Sequence, residues 1–192
     1  MNESRLYKIL RPLINFIIKV FIRPKYIGLE NIPKDGRIIL AGNHTSIMDP
    51  LLLISSTKRN IHFLAKDELW KGIKKILFAN MGLIPVNRRT KDKNALILAE
   101  KYLRDDKVIG IFPEGTTEKV RGLLPFKIGA TKMAYDTKTK IIPFAIKGKY
   151  QLFSKNLVIT FGEAIDVYNE NLTEENDKFR KIIMELLGEE DE

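Results

Sequence analysis

The 192-residue chain contains no cysteine, which excludes a disulfide framework, a thiolate metal site, a cysteine nucleophile and a redox pair. It has only two histidines, His44 and His62, so imidazole chemistry has two possible seats. No apolar run approaches the roughly 20 residues a helix needs to span a bilayer. A Walker loop, a dinucleotide fingerprint, a Gly-x-Ser-x-Gly elbow and zinc-ligand spacing are all missing. So are low-complexity linkers and internal repeats.

What remains is a globular balance of 44% hydrophobic and 30% charged residues, at a length that fits one domain. Lys and Arg number 33 against 24 Asp and Glu, leaving +9, an excess that favours an anionic partner: nucleic acid, a phosphorylated metabolite or an acidic lipid surface. The excess is uneven. Residues 1–30 carry Arg5, Lys8, Arg11, Lys19, Arg23 and Lys25 against Glu3 and Glu30, whereas the last five residues are Gly-Glu-Glu-Asp-Glu.

Residues 5–23 read as a helix whose polar positions Arg5, Lys8, Arg11, Asn15, Lys19 and Arg23 recur every three or four residues and form one narrow stripe. Nearly every other position is Leu, Ile, Phe, Val or Tyr. Lys19 interrupts the apolar stretch and no small-residue cleavage site follows, so the segment does not read as a signal peptide. A wide apolar face beside a basic stripe suits a helix lying in a membrane interface, and packing on the domain's own core is the alternative. Pro12 marks where such a helix would kink or divide.

Beyond residue 25, β-like runs (26–29, 37–42, 61–64, 83–86, 108–112, 141–146 and 157–161) alternate with helical ones (67–79, 91–104 and a segment from Thr173 to Gly188). The expectation is an α/β fold: a mostly parallel or mixed central sheet flanked by helices. It divides into an amphipathic docking segment over 1–25 and a main domain over 26–192.

Three clusters could carry chemistry. The run 37–42 leads into Asn43-His44-Thr45-Ser46-Ile47-Met48-Asp49-Pro50, where Asp49-Pro50 reads as a helix start. If the chain folds back, a carboxylate on one ring nitrogen of His44 leaves the other free to take a proton; otherwise Asp49 is a cap and His44 a loop residue. Phe112-Pro113-Glu114-Gly115-Thr116-Thr117 is either a turn that presents amides to an anion or a turn alone. Gly82 to Arg89 places Arg88 and Arg89 at a strand end, as phosphate ligands or as a solvated pair. His62, inside a β-like run, reads as structural.

In this order the clusters resemble the glycerophospholipid acyltransferase family, in particular the 1-acyl-sn-glycerol-3-phosphate acyltransferases. Asn43-His44-x4-Asp49 matches the first family motif, Gly82 to Arg88 the second, Phe112 to Thr116 the third and Ile141-Ile142-Pro143 the fourth. Lys66 to Leu69 and Phe126 to Ala130 resemble segments between them, so the likeness spans about residues 27–165. It implies transfer of a fatty acyl group from acyl-CoA or acyl-acyl carrier protein to the free hydroxyl of lysophosphatidic acid, with no bound cofactor, metal or nucleic acid. On that likeness His44 is the general base, Asp49 orients it, and Arg88, Glu114, Gly115 and Thr116 shape the phosphate site. Family members usually carry Arg where this chain has Thr117. Arg121 or Lys127 would replace it, or the acceptor differs: glycerol 3-phosphate, another lysophospholipid or a lipid alcohol. The resemblance also implies a peripheral or monotopic enzyme on an anionic surface at the cytoplasmic face of the cell membrane.

Overall fold

The computed structural model describes residues 5–69, 81–87, 93–118 and 122–189. Its strands are short runs rich in Ile, Val and Phe: β1 (Lys25–Ile27), β2 (Ile38–Gly42), β3 (Ile61–Lys66), β4 (Ile84–Val86), β5 (Val108–Ile111), β6 (Ile141–Lys147) and β7 (Val158–Phe161). They form one seven-stranded sheet in the order β1-β7-β6-β2-β5-β3-β4. Every pairing is parallel except β6 with β7. Each of the seven β-like runs became a strand, with ends displaced by a residue or two.

Among the described residues, five helices accompany the sheet: α1 (Arg5–Ile17), α2 (Asp49–Ser56), α3 (Lys93–Arg104), α4 (Gly129–Thr137) and α5 (Leu172–Leu187). The sheet is buried on both faces because its strands alternate apolar side chains to two cores, the pattern of a parallel sheet covered on each side. Ile39, Ala41, Ile109, Ile141 and Ala145 pack with Ala99, Leu103, Met133, Ala134, Phe179 and Ile183 of α3, α4 and α5. Ile38, Leu40, Val108, Ile142, Phe144 and Ile146 pack on the opposite face with Leu52 and Leu53 of α2 and Tyr7 of α1.

Two local expectations change. The cap of α5 is Asn171, whose Oδ1 accepts from Glu174 N, so Thr173 lies inside the first turn. The stop at Gly188 is as expected, with φ +67°. Asp67–Leu69 is a 3-10 turn, and the rest of the helix expected over 67–79 lies outside the described residues.

The N-terminal helix runs through Pro12 without a break and ends in a π-helical turn, Ile18–Ile22. Its expected polar stripe is not uniformly outward. Arg11 is half-buried and its Nε donates to Thr57 O at 3.0 Å, while Tyr7 OH donates to Arg59 O at 3.1 Å. Tyr7, Ile18 and Ile22 are buried and Ile14 packs beside them. Ile9, Leu13, Phe16, Ile17, Val20 and Phe21 stay exposed. The helix is therefore seated on the domain along one side and apolar toward solvent along another. Among the described residues, no helix is long and apolar enough to cross a membrane.

Candidate active site

The carboxyl ends of β2 and β5, neighbours at the centre of the sheet, each release a loop at the same end of the molecule, where open α/β sheets place their ligands. At the last residue of β2 a Cβ would lie 1.9 Å from Phe144 O, so the close approach to β6 admits only Gly42. Asn43 follows, fully enclosed, and its amide acts as a surrogate peptide. Nδ2 donates to Ile146 O at 2.8 Å and Oδ1 accepts from Ile146 N at 2.7 Å. The loop carrying His44 is thereby fastened to β6.

Asp49 opens α2, but its side chain turns back over the loop instead of capping forward. Oδ2 accepts from Thr45 N at 2.6 Å, Ser46 N at 2.9 Å and His44 Nδ1 at 2.8 Å. Oδ1 accepts from Thr45 Oγ1 at 3.1 Å and Tyr150 OH at 2.7 Å. The carboxylate is fully buried, and these donors offset the loss of water around it. It acts only as an acceptor, so Nδ1 of His44 carries the proton and Nε2 the lone pair. Among the described residues no hydrogen bond reaches Nε2, and the ring is 14% exposed. Phe112 stacks on the imidazole at 4.0 Å between centroids and 16° between planes, which fixes the ring's orientation. A base held in this way can accept a proton from a hydroxyl brought to Nε2.

The turn after β5 supports the pair from beneath. Glu114 is buried; Oε1 accepts from His44 N at 2.7 Å and Oε2 from Leu124 N at 3.1 Å. Its carboxylate thus joins two loops through their amides and braces the turn expected to shape the phosphate site. Gly115 sits at φ +72°, and a Cβ there would come within 2.8 Å of Lys127 Nζ. Lys127 is anchored by its own N–H to Pro113 O at 3.0 Å, so an exposed ammonium lies over the Gly115 turn. Thr116 is half-buried and its Oγ1 accepts from Glu118 N. Asn176 and Arg180 of α5 hold the carrying loop through Phe126 O and Leu123 O, each at 2.8 Å. Arg88 and Arg121 lie outside the described residues.

Sequence reasoning brought His44, Asp49, Glu114, Gly115 and Lys127 to one end of the sheet and missed two contributors. Tyr150 is 101 residues from Asp49 in a loop with no motif, so no local signal marks it. Phe112 was legible only as a letter in a motif, without its stacking role. Burial pushes the Tyr150 phenol far up, and the nearby Asp49 charge adds to the shift. The phenol is therefore a permanent donor. His62 lies away from this centre, with Nδ1 bonded to Gly82 O at 2.8 Å and the ring stacked on Tyr102 at 4.4 Å. Among the described residues, no group of three or more His, Asp or Glu side chains is arranged to hold a metal ion.

The family model described as Acyltransferase matches residues 23–147, from the start of the sheet through β6 and across His44, Asp49, Phe112, Glu114 and Lys127, with Tyr150, Asn176 and Arg180 beyond it. The chain belongs to this family. Among relatives of the acyltransferase, the 1-acyl-sn-glycerol-3-phosphate acyltransferase of Borreliella burgdorferi is 37% identical over 144 residues, covering 73% of this chain and 58% of that protein. The protein of the same name from Bacillus subtilis is 28% identical over 171 residues, covering 83% and 82%. The chain spans a little over half the length of the Borreliella relative. The crystal structure of the 1-acyl-sn-glycerophosphate acyltransferase PlsC from Thermotoga maritima superposes with a TM-score of 0.74 at 23% identity, over 93% of this chain and 78% of that one. It shares the fold.

Proposed function

We propose that this acyltransferase moves a fatty acyl group from an acyl thioester, acyl-CoA or acyl-acyl carrier protein, to the free hydroxyl of 1-acyl-sn-glycerol 3-phosphate, giving phosphatidic acid. The observation that carries the reading is the His44–Asp49 pair, with Nδ1 engaged at 2.8 Å and Nε2 left for a substrate. The names of the relatives supply the acceptor. Nε2 takes the hydroxyl proton as the oxygen attacks the thioester carbonyl. Asp49 stabilises the imidazolium, and collapse of the tetrahedral intermediate expels the thiolate, which recovers the proton from His44. Lys127, over the Gly115 turn, meets the acceptor's phosphate beside the Thr116 turn, and Arg88 and Arg121 are its further candidate ligands. The exposed face of α1 and its basic neighbours dock the enzyme peripherally on an anionic bilayer, at the cytoplasmic face of the cell membrane.

The test is conversion of lysophosphatidic acid and an acyl thioester to phosphatidic acid by the purified protein. His44→Ala is expected to lose about 10²–10⁴-fold in rate, the usual worth of a positioned base. Wild-type activity in that variant would refute the mechanism.

Thr117 favours a second reading in which the same pair acylates another acceptor: glycerol 3-phosphate, another lysophospholipid or a lipid alcohol. It is exposed beside the Gly115 turn, where family members usually carry Arg. Thr117→Arg is expected to raise turnover of lysophosphatidic acid relative to these competitors. No change in a panel at equal concentrations would leave the substitution without a role in acceptor choice.

A further inference from the structure

The apolar surface of α1 does not end with the helix. The loop 148–156 between β6 and β7 carries Leu152 and Phe153 at its tip, 64% and 58% exposed. Phe153 meets Phe21 of the π-helical turn at 5.7 Å between ring centroids, its N–H donates to Phe21 O, and the Arg23 guanidinium lies over its ring at 5.5 Å. Phe153 also adopts φ +57°, a conformation costly for a bulky side chain and cheap for Asn or Gly. An exposed aromatic is thus held outward at a conformational cost. We propose that this tip is a second bilayer contact, with Leu152 and Phe153 entering an anionic lipid surface beside Phe21.

The charge pattern identifies the occupant. Residues 5–25 contain six Lys and Arg and no Asp or Glu, and residues 148–156 add Lys149 and Lys155, again with no acid. Two segments whose apolar side chains are interspersed with cations and no acid match a layer of anionic headgroups over hydrocarbon. The same end of the sheet carries Ile47, 82% exposed in the loop that holds His44. The proposal rests on the interfacial reading above and gives it a geometric consequence. Tyr150, which holds Asp49, precedes Phe153 by three residues, a backbone distance of at most about 11 Å. A headgroup layer is roughly 5–8 Å deep on each side of a bilayer. The tip and the His44–Asp49 pair thus lie at the same end of the sheet, so docking there turns the pair toward the headgroup layer, where the hydroxyl of a lysophospholipid lies.

Because the chain has no cysteine, Leu152→Cys creates a single labelling site. Labelled there with nitrobenzoxadiazole, the full chain is mixed with vesicles of phosphatidylglycerol and phosphatidylcholine. We expect a blue shift and quenching by nitroxide lipids. Neither is expected from a label at Tyr168→Cys, which is exposed beyond the bridge between Ile165 and the first residue of β6, at the other end of the sheet. The unlabelled double variant Leu152→Ser, Phe153→Asn is expected to partition roughly tenfold or more weakly, while Asn keeps the left-handed turn. Protein that sediments with vesicles while the label at 152 stays in water would overturn the proposal and leave α1 docking intact. Protein that binds no vesicles would overturn both, and turnover of detergent-dispersed acceptor would still report on acyl transfer separately. A label already shielded without lipid, in protein sedimenting as a dimer, would overturn the proposal in favour of a second copy.

Discussion

A buried carboxylate is tolerable only when donors surround it, and for Asp49 one of those donors comes from far along the chain. Tyr150→Phe removes that donor and is expected to cost about 1.5–3 kcal/mol of stability near neutral pH, the range for a hydrogen bond to a charged group. The pH dependence has a definite sign. The folded protein keeps the phenol neutral where the unfolded chain ionises it near pH 10, about its ordinary value. The contribution of Tyr150 is thus complete below about pH 10 and declines above it. Urea unfolding of both proteins at about pH 8 and about pH 11 should show the gap between them narrowing on the alkaline side, since the phenylalanine variant lacks this titration. His44 and Asp49, five residues apart, could be paired on paper because a loop before a helix start can fold back. Tyr150 and the amide of Asn43 could not, because their partners are set by the register of β6 on β2.

The first helix is one element with two sectors. Tyr7 is buried and bonded to Arg59 O, whereas Phe16 is 59% exposed on the same helix. Tyr7→Ala is expected to destabilise the fold by about 3–5 kcal/mol, as truncation of a buried aromatic does, and Phe16→Ser by no more than about 0.5 kcal/mol. Vesicle sedimentation should show the converse, with Phe16→Ser weakened and Tyr7→Ala retaining its affinity while folded. Periodicity revealed the helix and its breadth of apolar surface but not the division between packed and exposed sectors, since both are written in Leu, Ile and Phe. Arg11 was grouped with the other cations for the same reason. The strands were legible because β-branched runs bounded by turns leave little choice. Helix α4 was not: Gly-Ala-Thr-Lys-Met-Ala-Tyr-Asp-Thr begins with Gly, carries two Thr and ends at Lys138 with φ +51°, without the cap residues that would announce it. Its burial among α3, α5 and the sheet supplies what propensity lacks.

At the scale of the whole molecule the +9 charge is concentrated where the apolar face is exposed. Partition onto anionic vesicles is therefore expected to weaken steeply between about 0.05 and 0.5 M salt, as the screening length falls to a few ångströms. Turnover of acceptor in neutral detergent should change far less, a contrast that co-sedimentation and a micellar assay measure side by side. Glu114 adds a consequence in time. It reaches back 70 residues to His44 and forward to Leu124, and Tyr150 closes over Asp49 from still farther on. A ribosome thus releases His44 and Asp49 early, yet Glu114 follows only past the middle of the chain and Tyr150 past three-quarters of it. The nascent polypeptide carries an unsupported pair, and under the proposed mechanism activity is withheld until translation of β6 and its following loop is complete.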